Sequence, residues 1–269
     1  MERNIRLVVA YDGTAFHGWQ EQPGLRTVQG MIEQAIRRVA RHQIHLIGSG
    51  RTDAGVHAAG QVANFRTNCQ IPADRLKKAI GARLPKDISI IEAHDVALAF
   101  HATSNAISKL YRYRIHNVPQ RPVARLAQGM TYHFWQPLDV ARMRRAAEHF
   151  LGTMDFSAMA SKGSERETMV RTVLRCEVER CYEEIRINVE GCGFLYNQVR
   201  NMVGTLIEVG RGHWEPDRVA DILAGLDRSA AGPTAPPRGL CLRWVRYPAR
   251  LLRPDPLPCD HPAESAGDP

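Results

Sequence analysis

Hydrophobic positions along the chain fall into short runs whose period alternates between two and about 3.6, and the alternation has an order. Residues 5–11, Ile-Arg-Leu-Val-Val-Ala-Tyr, predict a strand ended by the turn Asp12-Gly13-Thr14. From Thr27 the apolar positions Val28, Met31, Ile32, Ala35, Ile36 and Val39 keep helical spacing, with Thr27 as N-cap. Short β-like runs over 43–48 and 61–66 flank a glycine-rich loop. A helix over 73–84, between Pro72 and Pro85, and a strand over 88–96 complete a β-α-β-β-α-β series.

The series then repeats. Residues 109–116 alternate as a strand, and 139–151 read as a helix with Asp139 as cap and Gly152 as terminator. A hairpin over 171–181 and 184–190, a long helix over 194–209, a short one over 216–225 and a strand over 239–247 follow. The two halves share no visible sequence similarity, so the repeat is one of architecture. Each half has the split β-α-β pattern of ferredoxin-like and RNA-recognition (RRM-like) folds. The predicted class is therefore α+β: two ferredoxin-like halves, residues 1–104 and 105–247, joined into one extended, mostly antiparallel sheet. Helices are expected on one face, with a central cleft where the halves meet. Residues 248–269 carry six prolines and no apolar period, which predicts disorder.

Composition narrows the partners. The 269 residues hold 36 Lys and Arg against 28 Asp and Glu, a formal net charge of +8. Arginine supplies most of the excess, and its planar fork suits phosphate. A basic balance favours a polyanionic partner without naming one. No apolar run is long enough to span a membrane, and the N-terminus carries no secretory h-region. The six cysteines form no C-x-x-C pair and no His-partnered spacing. That pattern points away from a zinc site and toward reduced thiols in a cytoplasmic protein.

Three segments are candidates for chemistry. Gly50-Arg51-Thr52-Asp53-Ala54-Gly55-Val56-His57 places one carboxylate in a tight loop, with Gly48 and Gly60 nearby. Taken alone, Asp53 is first accounted for by an Asx-turn; the other segments favour a loop shaped around a ligand. In Lys109–His116 the alternation sends Tyr111, Tyr113 and Ile115 to one face and Arg112, Arg114 and His116 to the other. Tyr111 is then a core residue or a platform for a stacked base. The third segment is the apolar helix around Val199, Met202, Val203, Leu206 and Ile207, which carries Arg200. An arginine there either reaches water with its head or needs an anion beside it, and Asp53 is the candidate. Such a pair favours the ionised carboxylate.

The run Gly48-Ser-Gly50-Arg-Thr-Asp53 imitates the start of a dinucleotide fingerprint. Its third small position is filled by Asp53, and a strand follows instead of a helix, so a Rossmann oxidoreductase is not supported. An RNA-binding module without catalysis would use the basic surface and Tyr111 but has no need of Asp53 or a buried Arg200.

Taken together, the motifs resemble the bacterial tRNA pseudouridine synthase I (TruA) family from residue 5 to about 247. The resemblance rests on Tyr11-Asp12-Gly13-Thr14, Gly18-Trp19-Gln20, Thr27-Val28-Gln29-Gly30 and Gly50–His57. It continues in Phe100-His101-Ala102, Tyr111-Arg112-Tyr113, Phe194–Gly204, Ala235-Pro236-Pro237 and Gly239-Leu240. It implies a homodimer that uses no metal or organic cofactor and isomerises uridine to pseudouridine at nucleotides 38, 39 and 40 of the tRNA anticodon stem-loop. By the same match Asp53 is the nucleophile, Tyr111 lies against the target uracil, Arg51 holds the flipped nucleotide and Arg200 pairs with the catalytic carboxylate. Two positions depart from the family pattern: Met159 stands where an aromatic is frequent, and Gln198 where methionine is.

Overall fold

The computed structural model describes residues 2–120, 129–161, 163 and 167–254. One sheet runs through it. In the N-terminal half, β1 (Arg3–Tyr11) lies between β3 (His57–Thr67) and β4 (Ile88–Val96), both antiparallel, and the short β2 (Ile47–Gly48) pairs with β3. In the C-terminal half, β5 (Ser108–His116) lies between β9 (Glu184–Gly191) and β10 (Leu240–Arg246), with β8 (Val170–Cys181) and β7 (Gly152–Asp155) beyond β9. Two-residue β6 (Tyr132–His133) pairs in parallel with β5. The full order is β4-β1-β3-β10-β5-β9-β8-β7.

Both halves follow one plan. Strand order β4-β1-β3-β2 in the first matches β10-β5-β9-β8 in the second, as expected for split β-α-β units. The halves join because β2 is short. It covers only Ala63 and Asn64 of β3, and β10 takes the lower edge of β3 in parallel at His57 and Ala58.

The expected strand over 43–48 shrinks to two residues for an identifiable reason. α1 (Val28–Ala40) carries Gln29 and Glu33, both buried. Glu33 accepts from Leu46 N at 2.9 Å, and Gln29 donates to Leu46 O at 2.9 Å. Side chains thus satisfy the backbone that a ladder would otherwise have satisfied.

All five described helices put their buried residues into one core cluster on one face of the sheet. They are α1, α2 (Ala73–Gly81), α3 (Val140–Glu148), α4 (Gln198–Gly210) and α5 (Arg218–Gly225). The caps read from sequence are in place: Thr27 accepts from Gly30 N, and Asp139 from Ala141 N and Arg142 N. Gly152, expected to end α3, instead opens β7; the helix stops at Glu148 and His149 caps it. The predicted helix over 194–209 starts at Gln198, because Asn197 takes a left-handed conformation. Gln198 is buried, and its side chain accepts from Leu195 N at 2.9 Å. Met159 is also fully buried.

The opposite face of the N-terminal half is covered by loops. Val62, Val96, Phe100, Ala102 and Tyr247 form a second cluster there. Leu251 and Leu252 of a short 3-10 turn, residues 249–252, pack on it, and Ala97 N donates to Leu251 O. The start of the Pro-rich segment is therefore folded, because two leucines reach an apolar surface that the sequence alone did not reveal. Residues 255–269, the rest of the segment expected to be disordered, lie outside the described residues.

Candidate active site

The loop from Ser49 to Val56 is fixed from three sides. Ser49 N donates to Val62 O at 2.7 Å, the Ser49 hydroxyl donates to Gln61 Oε1, and Gln61 Nε2 returns to Gly50 O at 2.9 Å. From the N-terminal segment, Trp19 N donates to Thr52 O at 3.0 Å, and the Tyr11 and Thr52 hydroxyls meet at 2.8 Å. From the C-terminal half, Lys109 Nζ donates to Ser49 O at 2.6 Å. At its base, His57 is buried and its Nδ1 accepts from Gly13 N. Burial holds the imidazole below its ordinary value and so favours the neutral acceptor, although Asp12 pulls the other way.

The glycines divide the work. Gly55 takes φ +77°, which fits the tight return of the loop. Gly48 and Gly60 serve close approach instead, against the Trp19 ring and the Arg243 carbonyl.

Asp53 is the loop's free carboxylate in the Asx-turn sense: its backbone carbonyl accepts from Val56 N, while its side chain turns to the other half. Arg200 Nη1, on the first turn of α4, donates to Asp53 Oδ2 at 3.0 Å across 147 positions of sequence. The Arg200 side chain is 14% exposed and that of Asp53 24%. Arg200 Nε donates to Ala235 O at 2.8 Å and Nη1 also donates to Asn197 Oδ1 at 2.8 Å, so three acceptors orient the guanidinium. The anion demanded by a cation in an apolar helix is thus supplied by Asp53, as the sequence suggested.

Tyr111 lies in the middle of β5, opposite Val189 and Leu242, with its ring edge-to-face on Phe194 at 5.4 Å. It is 9% exposed. Burial pushes its phenol well above the ordinary value, and neighbouring Tyr11 and Asp53 add to that. Tyr111 therefore stays protonated through neutral pH and offers a ring and a hydroxyl, not a base. Arg51 is not gathered into this cluster. It lies exposed on the same loop, donating from Nε to Gln20 Oε1 at 3.2 Å. Among the described residues no group of His, Cys, Asp or Glu is arranged to hold a metal ion, and no helix is long and apolar enough to cross a membrane.

Sequence reasoning named Asp53, Arg200 and Tyr111 but missed Phe194, Lys109 and Asn197. Asn197 stood at the head of a helical pattern, where an N-cap signal was available.

Fold and site place a carboxylate–guanidinium pair at the seam of two like-ordered halves. The family model described as tRNA pseudouridine synthase matches residues 7–103 and 146–248. The chain is 48% identical over 245 residues to "tRNA pseudouridine synthase A" of Acetivibrio thermocellus, covering 91% of this chain and 100% of that protein. It is 44% identical to "tRNA pseudouridine synthase A 2" of Clostridium perfringens over the same shares of each chain. A solved Cbf5-Nop10-Gar1 complex aligns at TM-score 0.32 and 13% identity, over 75% of this chain and 54% of that one. The chain belongs to the tRNA pseudouridine synthase family and is an isomerase.

Proposed function

We propose that the protein converts uridine to pseudouridine at nucleotides 38, 39 and 40 of the tRNA anticodon stem-loop, with Asp53 as nucleophile. The Asp53–Arg200 pair carries this reading: a carboxylate in a partly dry cleft is held in place by a guanidinium 3.0 Å away. Asp53 acts at the sugar carbon C1′. The N-glycosidic bond breaks, the freed uracil turns, and C5 bonds to C1′, releasing Asp53; C5 gives up its hydrogen as a proton to solvent and N1 takes one up. No atom is gained or lost overall, in keeping with an isomerase.

The remaining residues serve the substrate. A base extruded from a stem costs a few kcal/mol, and stacking on Tyr111 offsets part of it. Arg51, exposed two residues before Asp53, reaches the displaced nucleotide's phosphate by giving up its surface hydrogen bond to Gln20. The N-terminal half, 1–104, brings the nucleophile, and 105–247 brings Tyr111 and Arg200. The net charge of +8 suits tRNA as the partner. We read the active form as a cytoplasmic homodimer, since β4 and β7 end the sheet with edges available to a second copy.

The test is tritium release from tRNA carrying 5-³H-uridine, with no added metal or cofactor. Wild type releases tritium; Asp53→Asn keeps tRNA affinity and fold but loses turnover. Equal release by the two proteins would remove Asp53 from the chemistry, and binding without release by either would leave an RNA-binding module.

A further inference from the structure

Asn197 is the residue type best suited to cap a helix, yet it does not cap α4. An N-cap asparagine normally turns its side-chain oxygen back to the backbone N–H two or three residues on. Here no such bond is made. Asn197 Oδ1 instead accepts from Arg200 Nη1 at 2.8 Å. Its Nδ2 donates to Ser161 Oγ at 3.0 Å, and Asn201 Nδ2 reaches the same hydroxyl at 3.4 Å. Arginine can only donate, so the amide's orientation is set: oxygen to Arg200, nitrogen to Ser161.

The backbone agrees that the position has a special task. Asn197 sits at φ 60°, ψ 6°, one of only four non-glycine residues with positive φ among those described. Asparagine tolerates that region better than most residues, but glycine is the natural occupant. Its carbonyl still accepts from Asn201 N at 2.9 Å and starts the helix, which a glycine would do as well. What glycine lacks is the amide.

The geometry around Nη1 shows what the amide does. That nitrogen has two hydrogens, one directed to Asp53 Oδ2 and the other to Asn197 Oδ1. With Nε on Ala235 O, the guanidinium plane is fixed at two atoms by three acceptors. Without Asn197, Arg200 keeps Ala235 and Asp53 but can pivot about Nε, and Asp53 moves with it. We propose that Asn197 is a positioning residue for the uridine isomerisation, holding Arg200 so that Asp53 meets C1′ in line; this rests on Asp53 being the nucleophile. Ser161 anchors the other end of the amide, so the chain of contact runs Ser161, Asn197, Arg200, Asp53.

Asn197→Gly separates this role from a structural one, because it relieves the left-handed backbone while deleting the amide. The expected result is a thermal midpoint equal to or above wild type, an unchanged KM for tRNA and a kcat lower by about 10- to 100-fold, the scale of a small misplacement of reacting groups. The second arm is a double-mutant cycle with Arg200→Lys. Adding Asn197→Gly to Arg200→Lys should cost no further kcat, since the amide acts only through the guanidinium. A kcat within twofold of wild type for Asn197→Gly, or full additivity with Arg200→Lys, overturns the proposal. Should Asn197→Gly fail to fold, Asn197→Ala in the same cycle decides, with additivity again the overturning result. Asp53→Asn is assayed alongside: activity surviving there defeats the nucleophile assignment itself, whatever the Asn197 variants do.

Discussion

Arg200 lies on a helix that is buried along most of its length, and it is tolerable there because each polar contact it makes has a fixed partner. Its charge meets Asp53, its Nε meets a backbone carbonyl, and 14% of the side chain remains exposed. Removing one partner of a fully buried pair costs about 3–5 kcal/mol, mostly the stranded charge. Both members here retain some water, so Arg200→Ala should cost less, about 2–3 kcal/mol, the scale of charge-assisted hydrogen bonds. Urea unfolding of the variant checks this; a stability equal to wild type would mean that the pair contributes nothing to the fold. The same substitution should abolish most turnover, because Asp53 would lose the partner that aims it. At this scale the sequence was informative. An arginine amid Val199, Met202 and Val203 announces a missing anion, and a carboxylate between glycines announces a loop with a purpose. Phe194 and Lys109 gave no such signal, since a phenylalanine in a loop and a lysine on a strand have ordinary explanations.

The helix α4 shows how elements deliver these residues. Gly204 on α4 faces the 232–235 segment so closely that an added Cβ would lie 1.7 Å from Pro233 O. That approach brings the Ala235 backbone against Arg200, where Ala235 O accepts from Arg200 Nε and Ala235 N donates to Arg200 O. Helix propensity alone favours Ala over Gly by about 1 kcal/mol, and overpacking against backbone costs about 1–3 kcal/mol or more. At 1.7 Å the clash wins, so Gly204→Ala should lower stability by at least about 2 kcal/mol, despite the better helix former. A raised melting temperature in that variant would contradict the close approach. Elements were legible where period and caps agreed, as at α1 with Thr27 and at β5 with its tyrosine alternation. They were misread where tertiary partners overrode local pattern. Residues 43–46 look like a strand, but Gln29 and Glu33 take the backbone bonds of Leu46; residues 194–197 look helical, but Asn197 turns left-handed. The parallel meeting of β10 with β3 had no local signature at all, because it depends on how much of an edge β2 leaves open.

Across the whole molecule, four of the seven tyrosines sit where the two halves and their loops are held together. Tyr11 meets Thr52 of the Asp53 loop, Tyr113 donates to Pro236 O at 2.8 Å, and Tyr247 donates to Ala102 O at 2.6 Å while packing on Phe100. Tyr111 completes the set at the seam. Burial is the first cause that pushes all four phenols above their ordinary value. Burial likewise pushes the Cys176 thiol up to about 12 and raises Cys241. In the unfolded chain these groups ionise at about 8.5 for thiol and 10 for phenol, whereas in the folded protein they keep their protons. The folded state then binds more protons than the unfolded one, so stability falls as pH rises through that window and is fully present below it. We expect the urea midpoint to decline steadily from about pH 9 upward on this account. Phenolate absorbance from the buried four should appear only together with loss of the near-UV circular dichroism signal. Ionisation of the buried four while that signal persists would mean the seam admits water and hydroxide freely. Tyr247→Phe offers the internal control: it removes one such group without emptying the site, so the alkaline decline should become shallower even though the hydrogen bond to Ala102 is lost at every pH.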